Sequence, residues 1–264
     1  MIIDTHAHYE SKRFDEDREE LLESMQGNGI GTIIDVGAAV EDLDAVIGLA
    51  EKYPFIYAAV GVHPYEIGDL NEESWKNLME LSLHPRTVAI GEFGLDYHEW
   101  PDEPPVTQDV KDAQIYWFRR QMGLARDRQL PFIIHSRDAA ADTMKVLEEE
   151  MKPGMSGVMH CYSYSKEIAM RAVGMGLYIG VGGVVTFRNA RKLKETVECI
   201  PLDRILLETD CPYMAPEPHR GKRNSSLYLP HVVRAISEIR GMTEAEVIQV
   251  TSENAKRLFS KCCP

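Results

Sequence analysis

MIIDTHAH, residues 1–8, is a short apolar run that ends in two histidines, and the same design recurs along the chain. VAIGE (88–92) ends in Glu92, PFIIH (131–135) in His135, GVMH (157–160) in His160 and ILLETD (205–210) in Asp210. The apolar runs lie at 2–5, 31–36, 56–60, 88–91, 132–135, 157–160, 177–180 and 205–208. They lack strict alternation, which suits parallel strands buried on both faces. Helical patterns separate them at 15–25, 40–52, 74–82, 108–128, 139–152, 165–175 and 190–197, and two more follow at 229–240 and 243–259. Strand ends recur every roughly 20 to 45 residues, the length of a strand, a helix and two loops. Eight such units predict an α/β fold: a single (β/α)8 TIM barrel forming one domain over residues 1–264, with its chemistry at the carboxyl ends of the strands.

The bulk composition is compatible with this reading. The chain has 264 residues, 44% of them hydrophobic, enough for a packed core. Its formal net charge of −13 argues against a protein that coats nucleic acid through a broadly basic surface, but not against a local basic patch. Five cysteines (161, 199, 211, 262 and 263) show no disulfide-framework or zinc-finger spacing, which fits a reducing cytoplasm. The chain opens directly on a strand and contains no long apolar segment, so neither a signal peptide nor a transmembrane helix is expected. No linker, repeat or obligate protein partner is evident.

The strand-end residues define a candidate metal centre. In an extended segment residues i and i+2 share a side, so His6 and His8 can face one ion. Glu92 sits between Gly91 and Gly94, where its packing value is small and a bridging carboxylate is a natural use. Singly, His135 and His160 read as hydrogen-bonded core histidines. Six ligand-type residues at one end of a barrel read as a constellation. Glu208 is the competing carboxylate: it shares Asp210's side by alternation and is set aside as deeper. Imidazole donors favour zinc, manganese or iron, whereas magnesium prefers oxygen. His6, His8, Glu92, His135, His160 and Asp210 suffice for two divalent ions, zinc or manganese favoured and magnesium possible, sharing Glu92. Paired ions can acidify a bridging water and hold both oxygens of a phosphoryl centre. Asp210 is then the expected proton acceptor and Glu92 the catalytic bridge.

DTHAH (4–8), GVHP (61–64), GEFGLDY (91–97), HSRDA (135–139), HCYS (160–163) and LLETDCPY (206–213) together resemble the TatD family of metal-dependent hydrolases and DNases, within the amidohydrolase-like barrels. The resemblance spans essentially the whole chain. It implies that the six residues above are metal ligands and that the activity is a metal-dependent deoxyribonuclease working at DNA ends, single-stranded or 3′. With Glu92 as the bridge, where many amidohydrolases use a carboxylated lysine, the resemblance leans away from lactonase- and dihydroorotase-like activities. The alternative is hydrolysis of a small ester, lactone or amide. A catalytically silent binding protein is disfavoured by the intact ligand set. Two positions depart from the family pattern: Tyr65 follows GVHP in place of a histidine, and Ser225 follows Arg-Gly-Lys-Arg-Asn (220–224) where an acidic residue is usual.

Four residues are candidate substrate contacts. His63 is read as substrate-facing or as a turn residue. Arg137 is read as a phosphate clamp or as the partner of Asp138 or Glu92. Arg220 and Arg223, with Lys222, form either a phosphate-facing lip or a solvated loop. His84, His98, His219 and His231 are expected at the surface or in turns, Cys161 and Cys211 as small packing residues, and Met122, Met144 and Met159 in the core.

Overall fold

In the computed structural model, which describes residues 1–101 and 104–262, eight parallel strands pair in chain order. They are β1 (Ile2–Ala7), β2 (Ile30–Val36), β3 (Ile56–Val60), β4 (Thr87–Asp96), β5 (Phe132–Arg137), β6 (Gly157–Met159), β7 (Tyr178–Val181) and β8 (Ile205–Leu207). The sheet closes where the residues after β8 meet β1. Asp210 N donates to His6 O at 2.9 Å, His8 N to Cys211 O at 2.8 Å and Thr5 Oγ1 to Leu207 O at 3.0 Å. The helices α1 (Arg18–Ser24), α2 (Leu43–Lys52), α3 (Glu72–Leu81), α4 (Gln108–Arg128), α5 (Ala140–Glu150), α6 (Lys166–Gly174) and α7 (Arg191–Cys199) connect successive strands. Two more, α8 (Leu229–Arg240) and α9 (Glu244–Leu258), follow β8. This is the barrel expected from the apolar runs.

The core has two layers. One lies between strands and helices, from Ile33, Val60, Phe93 and Phe132 to Val46, Phe118, Leu147 and Val233. The other fills the barrel's interior: Ile3, Ile34, Ala59, Val88, Ile133, Val158, Tyr178 and Leu206, stopped at the amino ends of the strands by Leu258 and Phe259. Interior residues therefore change character along the barrel axis. Ile133, Val158 and Leu206 point inward, and strand alternation carries His135, His160 and Glu208, two residues later, to the same side at the carboxyl end.

The strand boundaries differ most at β4. The glycines around Glu92 read as its end, yet β4 runs on to Asp96 with every residue buried. A Cβ on Gly94 would lie 1.9 Å from His135 O, and one on Gly91 2.6 Å from Ile133 Cβ. These glycines admit β5 at close range and do not break the strand. β5 likewise continues to Arg137. Among the described residues no helix is long and apolar enough to cross a membrane. Cys161, Cys199 and Cys211 are free thiols, and Cys263 lies outside the described residues.

Candidate metal centre

Two sets of donor atoms face each other across Glu92. In the first, His6 Nε2 lies 3.1 Å from His8 Nε2. Asp210 Oδ1 is 3.9 Å from the former and 3.4 Å from the latter, and Glu92 Oε1 is 3.7 and 3.5 Å away. In the second set, His160 Nε2 lies 3.2 Å from His135 Nδ1, and Glu92 Oε2 is 2.7 and 3.5 Å from them. The carboxylate thus turns one oxygen to each imidazole pair. The sets are in contact, since the His6 and His160 rings stack at 4.0 Å and 8°. Asp210 enters from a left-handed residue, φ 55°, just beyond β8. Aspartate tolerates that conformation, which swings the side chain off the line of the strand.

Neighbouring acceptors fix which imidazole nitrogens are lone pairs. His8 Nδ1 is 2.7 Å from Val36 O, and a carbonyl can only accept, so Nδ1 carries the proton and Nε2 faces the cluster bare. His135 Nε2 lies 3.0 Å from Asp96 Oδ2, which leaves Nδ1 bare toward His160 and Glu92. The 3.1 Å between His6 Nε2 and His8 Nε2 is closed either by a proton on His6 Nε2 or by a cation that both nitrogens bind. With bonds of about 2.1 Å to nitrogen, ligands on one tetrahedral ion stand about 3.4 Å apart. Among the described residues, His6 Nδ1, His160 Nδ1 and Glu208 Oε2 are buried with no hydrogen-bond partner. Bare donors at ligand spacing, desolvated and partly orphaned, fit divalent cations.

Without a cation the cluster's own field draws protons onto it: against the effect of burial, the neighbouring carboxylates raise both His8 and His135 above the ordinary histidine value. Burial, then His160, pulls His6 down to about 4, so its imidazole stays neutral. Burial opposes ionisation of Glu92, but the surrounding histidines outweigh it and hold the carboxyl well below its ordinary range. His135 is pulled down by burial and pushed up more strongly, to about 9, by Asp96 and Glu92. The cluster is a concentrated field that ligation must reorganise, and it titrates as a unit.

Beyond the six expected donors, the fold brings in three others. Glu208, set aside as too deep, lies with His6 and His160 so that one donor atom of each falls within 4.8 Å of the rest; burial pushes it up to about 8. Gly180 leaves it room, since a Cβ there would meet Glu208 Oε2 at 2.2 Å. His63 forms a similar group with Glu92 and His135, its ring 4.2 Å from that of His135. Burial and the neighbouring His135 pull His63 down to about 3. Asp96, the third, lies four residues beyond Glu92 at the end of a fully buried strand, 3.0 Å from His135 Nε2.

The comparisons with known proteins carry these observations to a family. The model described as TatD related DNase matches residues 3–260. The chain belongs to the TatD family. Its relatives include the metal-dependent hydrolase YabD of Bacillus subtilis, 44% identical over 259 residues, covering 98% of this chain and 99% of its own. A protein of Cronobacter sakazakii named 3′-5′ ssDNA/RNA exonuclease TatD is 32% identical over 266 residues, 98% of each chain. The crystal structure of YJJV, a TatD homolog from Escherichia coli K12, superposes with a TM-score of 0.88 at 32% identity, covering 98% of both chains. The protein is accordingly a metal-dependent hydrolase on a TIM barrel.

Against the TatD pattern, the two unusual positions have definite surroundings. Ser225 caps a short 3-10 turn, its Oγ accepting from Leu227 N at 3.3 Å, so a neutral side chain does the local work. Tyr65 stacks on His63 at 5.5 Å, and its hydroxyl lies 3.4 Å from Asp96 Oδ1.

The basic residues after β8 are held separately from one another. Arg223 makes a two-pronged ion pair with Asp17, donates to Arg13 O at 2.8 Å and covers the Phe14 ring at 4.7 Å. That pins the loop after β8 to the β1–α1 connection and spends the guanidinium's donors within the protein. Arg220 lies over Phe187 at 4.3 Å, and Lys222 is exposed. Arg137 pairs with neither Asp138 nor Glu92: Asp138 Oδ2 binds His98 Nδ1 at 2.7 Å, and the Arg137 guanidinium lies over the Trp100 ring at 4.7 Å.

Proposed function

We propose that the protein is a dinuclear metal-dependent phosphodiesterase that removes nucleotides from the ends of single-stranded nucleic acid, DNA in the first instance. The observation that carries this reading is Glu92, presenting one oxygen to the His6–His8 pair and the other to the His135–His160 pair. His6, His8 and Asp210 would hold one cation, His135 and His160 the other, with Glu92 shared. Zinc or manganese suits the imidazole-rich donors, with magnesium as the oxygen-preferring alternative. Two such ions, when bound, would supply an acidified water and positive charge for both oxygens of a displacement at phosphorus.

The chain's own residues then have separable tasks. Asp210, at the open end of the cluster, accepts the water's proton. Asp96 and Val36 O keep His135 and His8 in the tautomers that face the site. Arg137, the basic side chain nearest β5's end, holds a substrate phosphate. A relative named as an exonuclease on single-stranded DNA and RNA supports the substrate class. Free thiols at Cys161, Cys199 and Cys211 support a reducing, cytoplasmic setting.

The test combines metal content with substrate choice. Elemental analysis and metal titration should reach two ions per chain. The loaded protein should shorten single-stranded oligonucleotides from an end, and chelation should stop it. Saturation at one ion would overturn the dinuclear reading. Turnover of small carboxylic esters or lactones, with oligonucleotides left intact, would overturn the nuclease.

A further inference from the structure

Large aromatic side chains at a protein surface are informative when they sit beside a reaction centre. Trp100 is 43% exposed and Tyr65 39% exposed. Trp100 Nε1 donates to Tyr65 Oη at 3.0 Å, and that hydroxyl donates to His98 O at 3.0 Å, so the indole is held on a fixed support. The support leads directly to the metal centre. Tyr65 Oη lies 3.4 Å from Asp96 Oδ1, and Asp96 Oδ2 lies 3.0 Å from His135 Nε2. The rings follow the same route, from His135 to His63 at 4.2 Å and from His63 to Tyr65 at 5.5 Å.

Arg137 completes the arrangement. It stands two residues beyond His135 on β5, puts its guanidinium 4.7 Å from the Trp100 ring centre, and has no ion-pair partner among the described residues. The guanidinium, free of ion pairs, covers one face of a fixed, partly exposed indole, so aromatic surface and positive charge are offered together. A nucleotide presents the complement, a flat base joined to a phosphodiester, and aromatic stacking of bases is how single-stranded nucleic acid is commonly held. Among the described residues, the groups against the Trp100 side chain are the His98 ring, the Arg137 guanidinium and the Tyr65 hydroxyl, all polar or charged.

We propose that Trp100, braced by Tyr65 and flanked by Arg137, is the stacking surface for the base of the terminal nucleotide, Arg137 meeting the adjoining phosphate. This inference rests on the nucleic-acid reading of the site. It makes the terminal base, and not the phosphodiester alone, a determinant of affinity, with no preference among bases beyond their stacking strength.

Binding and turnover separate the two ideas. The probe is a short fluorescent oligothymidylate whose terminal linkage is a phosphorothioate, to resist hydrolysis; a second probe lacks the terminal base. The protein as purified should bind the abasic probe about 10-fold more weakly than the intact one. Trp100→Ala should weaken the intact probe by the same factor and leave the abasic probe unchanged, and Trp100→Phe should recover most of the loss. Trp100 is exposed, so its replacement leaves the fold intact, checked by an unchanged melting temperature. Equal losses on both probes, no loss on either, or no binding of the intact probe by the unaltered protein would each overturn the stacking site. Tight, base-dependent binding with no cleavage of an ordinary oligonucleotide would instead overturn the hydrolytic reading and leave the stacking site standing.

Discussion

The donor cluster at the barrel's mouth and the basic loop after β8 both carry charge toward one end of the molecule, but they are built differently. His6, Glu92 and His135 lie on strands whose register is set by a packed interior, and His8, His160 and Asp210 within a few residues of strand ends. Arg220, Lys222 and Arg223 lie on a loop with no such frame, and each finds its own partner or none. Burial separates them further. His6, His8, Glu92 and His160 are desolvated, so their lone pairs must be met by protons or cations. The loop's cations remain largely hydrated, and their pairings are worth little. A charge matters to chemistry here in proportion to how completely the fold has removed its water.

That contrast can be broken by experiment, most forcefully at Asp210. Asp210→Asn should lower turnover by about 100- to 10,000-fold, the range for a lost general base, with metal content largely retained by elemental analysis. Loss of both ions with the activity would make Asp210 purely a ligand.

The next largest effect tests whether residues behind the donors share their status. Asp96→Ala removes the carboxylate that holds His135 Nε2. Metal affinity, read by competition with a chelating dye, should fall about 10- to 100-fold. An unchanged affinity would show that β5 packing alone orients His135.

On the loop the expected effects are small. Replacing Arg220 and Lys222 together by alanine should weaken oligonucleotide binding a few-fold and reduce the slope of log K against log salt by at most about 2, one per phosphate contact. A slope that does not move would make the loop a solvated one with no part in binding.

The smallest effect belongs to Arg223→Ala. Its pair with Asp17 is partly exposed, 33% and 40% for the two side chains, so the loss of stability by chemical denaturation at neutral pH should stay within about 1 kcal/mol. The hydrogen bond from Arg223 holds the folded-state pKa of Asp17 below its usual value. Stability from a depressed carboxyl is present above the unfolded value of about 3.9 and is lost as pH falls through the folded one. The difference between variant and parent should therefore shrink in acid by the share of the ion pair, leaving the part that comes from Arg13 O and Phe14. A large selective loss of DNA cleavage in this variant would restore Arg223 to the substrate path.

The residues that could be read from the sequence are those whose role follows from short-range periodicity. His135 and His160 each stand two residues after an inward apolar side chain, and His6 and His8 are two apart, so alternation alone aims them. Asp96 and Glu208 were harder for opposite reasons. Asp96 lay beyond a strand end misjudged from glycines that serve interstrand contact. Glu208 lay on the right side, but its depth depends on Gly180 of a neighbouring strand leaving space. His63 reads in the sequence as substrate-facing or as a turn residue, because its nearness to His135 depends on how β3 and β5 sit across β4. Arg223 was misleading because a cluster of basic letters says nothing of an acidic partner some 200 positions away.

By itself the sequence determined the eight strands, the barrel, the six donor types and the family likeness, because periodicity, strand length and motif order are properties of short stretches of chain. Only the tertiary structure decided which oxygen of Glu92 faces which imidazole pair, which histidine tautomers are fixed, and which arginines are spent on internal partners. Those outcomes depend on distances between segments far apart in the chain, and on the water excluded when they pack.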